Sequence, residues 1–117
     1  MADNSLFGVH GAALEVRQRR LGLLASNIAN ASTPGFKAKD IDFRAALNAA
    51  NAPQGLTNDA FSRATLFRVP LQPSLDGNTV ELATEQTAFA ENAVAYQTTL
   101  SFLNGRINQI NRALRGE

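Results

Sequence analysis

Apolar residues recur at seven-residue spacing near the start of the chain: Phe7, Leu14, Leu21 and Ile28. Between them the repeat places His10, Arg17, Leu24 and Ala31. One seam is therefore apolar throughout, and the second becomes so only toward its end. This spacing predicts a helix that lies lengthwise against another helix. Asp3, Asn4 and Ser5 each offer a side-chain oxygen to cap its start. Thr33 precedes Pro34, and a residue before proline is pushed out of the helical region, so the helix stops near residue 32. Pro34-Gly35 then fits the two central positions of a type II turn, with the glycine at positive φ.

The last third is more regular. Leu82, Gln86, Phe89, Ala93, Tyr96, Leu100, Leu103, Ile107, Ile110 and Leu114 alternate in steps of four and three, and only Gln86 is polar. A helix from about 84 to 115 would be roughly 45–50 Å long at ~1.5 Å per residue. Asp76-Gly77-Asn78 makes a turn before it, and Thr79 or Thr84 is its candidate cap. The middle reads differently. Asp42 suits the cap of a short helix through Phe43, Ala46, Leu47 and Ala50. Residues 51–64, NAPQGLTNDAFSRA, are small and polar and read as a mobile loop. TLFRV, 65–69, alternates weakly and suits a short strand, which Pro70 and Pro73 confine to an edge.

The expected fold is all-α. Long N- and C-terminal helices pack as an antiparallel-type coiled coil around a partly irregular middle with a short strand or hairpin. Three segments make one domain: 1–33, the N-terminal axial helix; 34–78, a turn, a short helix and a flexible connection; 79–117, the C-terminal coiled-coil helix. The assembly seam consists of Phe7, Leu14, Leu21, Leu24 and Ile28 on the first helix, and of Phe89, Ala93, Tyr96, Leu100, Leu103, Ile107, Ile110 and Leu114 on the last.

Composition narrows the function by exclusion. The chain has 117 residues and a formal charge of +1, so no strong field favours nucleic acid or an acidic membrane. It has no cysteine and one histidine, which leaves only carboxylates for a metal cluster. Asp40 and Asp42 could flank a cation, but solvated carboxylates after a turn are the commoner reading. Asp76-Gly77-Asn78 resembles part of a calcium loop without the closing glutamate. Ser26 and Ser32 have no base at a recognisable spacing, and His10 lies on the helix seam. No enzyme and no cofactor is expected. No apolar run approaches the ~20 residues of a membrane span, and the first eleven residues lack a cleavable secretion signal. Arg17, Arg19 and Arg20 form a basic knot, read as a solvated face or as a contact for an acidic partner, nucleic acid or lipid headgroups. Asn27, Asn30, Asn92, Asn104, Asn108 and Asn111 all sit in the two proposed helices, although asparagine is a mediocre helix former. They either bond across interfaces or face water.

The stretch NIANASTPGFKAKDIDF, 27–43, resembles the N-terminal signature of bacterial flagellar rod, hook and related axial proteins. Asn27, Ile28, Ala29, Asn30, Thr33, Pro34, Gly35 and Phe36 carry the match. The run from Gln72 to Val80, with Glu91-Asn92 and Tyr96-Gln97, is most similar to the proximal rod protein B family (FlgB). Residues 44–64 carry no signature and are short for that family. The resemblance implies a structural subunit of the proximal rod, which crosses the periplasm and transmits torque. It implies export by the flagellar type III apparatus without a cleaved signal. Implied partners are copies of itself, neighbouring proximal rod proteins and the adaptor between membrane ring and rod, with no nucleic acid and no membrane insertion. The residue pattern agrees on one point. The C-terminal stripe is longer than the N-terminal helix can cover, and the remainder is an interface for other subunits. The alternatives are a non-flagellar coiled-coil adaptor or scaffold, or, less favoured, a basic helical nucleic-acid-binding protein.

Overall fold

The computed structural model describes residues 8–116, so Phe7 of the expected seam and the candidate caps Asp3, Asn4 and Ser5 lie outside the described residues. Six elements follow in order: α1 Gly8–Ala29, β1 Lys39–Ile41, α2 Phe43–Ala50, α3 Asn58–Ala64, β2 Thr65–Phe67 and α4 Leu82–Arg115. α1 and α4 run antiparallel. His10 meets Phe102, Arg17 meets Asn92 and Asn27 meets Glu85, so one partner number rises as the other falls. α4 has 34 residues against 22 in α1. Its last turns run beyond the point opposite Gly8, and the molecule is correspondingly long, 65 × 27 × 18 Å. Its radius of gyration is 17.4 Å, where a compact domain of this length would have about 13 Å.

α1 also packs on the middle segment. Val16 joins Ile41, Ala46, Leu56 and Ala64 in the core, with Leu23, Phe43 and Phe61 against them. Alanine at two of these positions lets the short elements approach the helix closely. β1 and β2 pair antiparallel, Lys39 with Phe67, Asp40 with Leu66 and Ile41 with Thr65. The expected TLFRV strand therefore forms only over its first three residues, and it pairs with a strand that the charged Lys39-Asp40-Ile41 sequence did not announce. Asp42 caps α2, its carboxylate accepting from the Ala45 N–H. Residues 51–64 are not one loop. The Thr57 hydroxyl accepts from the Ala60 N–H at 3.1 Å and starts α3, which burial of Ala64 then holds in place.

Both long helices depart from their expected ends. α1 stops at Ala29, ahead of residue 32, because its last turn tightens. Ala31 N–H reaches the Ile28 carbonyl at 3.2 Å and Thr33 N–H the Asn30 carbonyl at 3.1 Å. α4 begins at Leu82, and neither Thr79 nor Thr84 caps it: Glu81 holds the cap position without a side-chain bond. The Thr79 hydroxyl instead accepts from the Ala38 N–H at 2.8 Å. α4 ends at Gly116, whose φ of +78° permits the left-handed cap, with Arg112 and Arg115 in the last turn. No helix among the described residues is long and apolar enough to cross a membrane.

Candidate functional site

The signature residues gather where the end of α1 meets the sheet and the start of α4. Asn27 is 1% exposed. Its Nδ2 donates to the Lys39 carbonyl at 2.7 Å and to Glu85 Oε1 at 3.0 Å, and its Oδ1 accepts from the Lys39 N–H at 3.0 Å. One amide thus extends the β1 edge as a backbone would and also holds α4. Asn30 acts locally: its side chain donates to the Ser26 carbonyl and accepts from the Thr33 hydroxyl. The turn that follows is closed by Phe36 N–H on the Thr33 carbonyl at 3.2 Å, with Gly35 at φ +74°. That is the geometry expected of glycine in this turn.

A second turn, from the Asp76-Gly77-Asn78 run, seats against the first. Gly35 N–H donates to the Asp76 carbonyl at 2.9 Å. A Cβ on Gly77 would stand 3.7 Å from the Gly35 Cα. Asn78 is buried, and its Nδ2 is shared among the carbonyls of Asn30, Ala31 and Thr33 at 2.9, 3.1 and 2.7 Å. These are carbonyls that the end of a helix leaves without partners, so a residue 48 positions away finishes α1. Thr79 N–H completes the contact on the Phe36 carbonyl at 2.9 Å.

Charge locks the same region. Arg20 grips Asp40 with two bonds, Nε to Oδ1 at 2.7 Å and Nη2 to Oδ2 at 2.8 Å. Arg68 bridges Asp40 at 2.8 Å and Glu85 Oε1 at 3.1 Å. Its Nε also lies 2.7 Å from Glu85 Oε2, but too far off axis for a hydrogen bond, so this contact is held by charge. Glu85 is 0% exposed. Burial pushes the Asp40 carboxyl up, yet bonds from Arg20, the Ile41 N–H and Arg68 outweigh it and hold the group below the usual carboxylate range. The bond to Asp40 raises Arg20. Arg68 loses to desolvation but gains more from Glu85 and Asp40, and it is also raised. Five side chains from α1, β1, α4 and the β2–α4 connection therefore form one clasp.

Within the single chain the residues of the expected seam differ in burial. On α1, Leu24 is buried, while Leu14, Leu21 and Ile28 are half-buried; Ala29 of the signature is exposed. On α4, Leu103 is buried; Phe89, Ala93, Tyr96, Leu100, Ile107 and Ile110 are half-buried; Leu114 is 80% exposed. The deepest positions of α4 include two polar residues, Glu85 and Asn92, which the apolar repeat passes over. Asn92 donates to the Arg17 carbonyl at 2.8 Å. Of the six amides, Asn27, Asn30 and Asn92 bond within the chain, and Asn104, Asn108 and Asn111 are exposed on the α4 tail. Sequence reasoning did not find Glu85, Arg68 or Asn78 as members of the site. The signals available were an excess of arginine at Arg17–Arg20 in want of carboxylates and, for Asn78, its place in the Gln72–Val80 run.

That basic knot turns inward. Arg17 lies over the Phe43 ring at 4.7 Å. Arg19 lies over Phe61 at 5.2 Å and donates to the Leu56 carbonyl and Asn58. With Arg20 on Asp40, all three guanidinium groups tie α1 to the middle segment. The candidate cation pair divides, Asp42 serving α2 and Asp40 the arginines. No group of three metal-ligating residues stands together among the described residues. His10 stacks near Phe102, with ring centroids 4.5 Å apart, remote from the carboxylates of the clasp. The arrangement holds elements in place, and its carboxylates are already engaged by donors.

Comparison with known proteins points the same way. A family model described as flagella basal body rod protein matches residues 7–37, the α1 helix and its turn. The chain is 50% identical over 120 residues to the flagellar basal body rod protein FlgB of Cereibacter sphaeroides, covering 94% of each. It is 46% identical over 124 residues to that of Aeromonas hydrophila, covering 95% of this chain and 93% of the relative. It is 39% identical over 121 residues to that of Escherichia coli, covering 88% of each.

Proposed function

The chain belongs to the FlgB family of flagellar basal body rod proteins, and from that membership we propose that it is a structural subunit of the proximal rod. It has no enzymatic role in this reading. It crosses the inner membrane unfolded, through the flagellar type III apparatus and without a cleaved signal, and reaches its place in the periplasm. There it assembles with copies of itself, with neighbouring proximal rod proteins and with the adaptor that joins rod to membrane ring. Segments 1–33 and 79–117 supply the axial helices, which pack in the assembly as a coiled coil. Segment 34–78 braces them. Torque passes through many small contacts between stiff helices.

The observation that carries this reading is the clasp at Asn27. Asn27 of the family's signature fixes α1 to α4 and to the sheet, while α4 extends past α1 with Leu114 at 80% exposure. Contacts between subunits that do not close on themselves build an open helical polymer, and the exposed apolar residues of the α4 tail suit such contacts. The basic-helix alternative loses its exposed arginines. The test is deletion of the gene, microscopy of the basal bodies and complementation. Loss of the rod with the membrane ring intact, restored by the wild-type chain, is expected. Normal rods in the deletion strain would overturn the proposal.

A further inference from the structure

α4 does not turn toward α1 the face that its own apolar repeat would choose. Its buried residues are Glu85, Asn92 and Leu103. At about 100° per residue these three fall within roughly 20° of one line along the helix. The apolar residues of the repeat from Leu82 to Leu114 centre about 40° to one side of that line. Phe89, Leu100 and Ile107 therefore stay half-buried on that flank, and Leu82 is exposed. Ala88, Ala95 and Thr99 are half-buried on the other flank, where His10 meets Phe102. Val94 lies on the far side of the helix and is exposed.

Two of the three buried residues are polar, and their bonds account for the offset. Glu85 accepts from Asn27 at 3.0 Å and from Arg68 at 3.1 Å. One heptad further on, Asn92 Nδ2 donates to the Arg17 carbonyl at 2.8 Å. That carbonyl lies inside α1, where the N–H four residues on already uses it, so it does not depend on the amide. Asn92 Oδ1 is buried and finds no donor among the described residues. A buried amide satisfied at one atom only is less stable than an apolar side chain would be in its place. What it contributes is geometry. A polar residue inside a helix pair fixes how the two helices meet, at a cost in stability.

We propose that Asn92 is a positioning residue: together with Glu85 it sets the rotation of α4 about its own axis and keeps half-open the flank of Phe89, Leu100 and Ile107 that the apolar repeat would otherwise bury. The inference rests on the fold and not on the rod-subunit reading. Its test replaces Asn92 with leucine. Glu85 still pins the start of the helix, and a change of coiling turns a helix by about 20° per heptad, so residues two heptads past Glu85 turn by about 40°. Thr99 and Leu100 lie at that distance, adjacent in sequence and on opposite flanks. The chain has no cysteine, so a single introduced thiol is read without background. Thr99→Cys and Leu100→Cys are made separately, each with and without Asn92→Leu, and the rate of maleimide labelling is measured on the folded full chain. With Asn92→Leu, the Leu100→Cys thiol should react more slowly and the Thr99→Cys thiol faster. Their ratio should change on the order of tenfold, because a buried thiol reacts only through local opening. The melting temperature should not fall. Asn104→Leu, at an exposed site on the same helix, should leave both rates as they were. Unchanged rates with Asn92→Leu, or the same change with Asn104→Leu, would overturn the proposal. So would a rise in both rates with a lower melting temperature, since the amide would then merely fasten α4 to α1.

Discussion

Replacing Asn27 with leucine keeps the branching of the side chain and removes its polarity. Three hydrogen bonds are lost, two with the Lys39 backbone and one with Glu85. The site is 1% exposed, so water does not replace them. A neutral bond contributes about 0.5–1.5 kcal/mol and a bond to a charged group about 1.5–3 kcal/mol. The substitution should therefore cost about 3–5 kcal/mol, a large share of the ~5–15 kcal/mol that holds a typical domain together. For a chain of this size that lowers the melting temperature by about 15–25 °C. The assay is urea and thermal unfolding of the purified chain, followed by circular dichroism at the helical minimum. Asn30→Ala is the internal comparison. Its side chain bonds only to Ser26 and Thr33 at the surface, and it should cost about 1 kcal/mol or less. If Asn27→Leu costs under ~1 kcal/mol, or no more than Asn30→Ala, the amide does not hold α1, β1 and α4 together and the clasp is misread.

Gly35→Val forces a β-branched residue into the left-handed region at φ +74° and should destabilise the chain by about 1–2 kcal/mol or more; an unchanged urea midpoint would refute the turn. Asp40 is held below its ordinary value, so its contribution to stability is present above about pH 4 and is lost as the pH falls through the folded value. Asp40→Asn should lower stability at pH 7 and flatten the acid limb, and parallel stability–pH curves for the two proteins would count against the Arg20–Asp40–Arg68 network. Leu103→Asp places a charge at a position 4% exposed, should cost about 3 kcal/mol or more, and should abolish swimming while export persists. Wild-type swimming would contradict it.

Local features of the sequence carried far into the structure. Seven-residue spacing located both long helices, Pro34-Gly35 located the turn, and Asp42 located the start of α2. Each depends on neighbours within a few residues. The clasp does not. Asn27 and Glu85 are 58 positions apart, and Asn78 and Asn30 are 48 apart. A buried glutamate one position from an apolar stripe looks solvated until the fold supplies Arg68. α3 went unseen for a related reason: Asn58–Ala64 has no apolar period of its own and is held by Ala64 in the core and by Arg19 over Phe61. The basic knot was legible as unusual. That its three arginines serve a middle segment of the same chain is a tertiary fact.

The central claim is that the clasp fixes an antiparallel helix pair whose apolar remainder is covered by neighbouring subunits. A cryo-electron-microscopy map of the basal body that resolves this subunit tests it most directly. The account predicts Asn27 against Lys39 and Glu85 as here, with Phe102, Ile110 and Leu114 of each copy buried under an adjacent chain. A map in which the α4 tail stands in solvent, or folds back on its own chain, would contradict it.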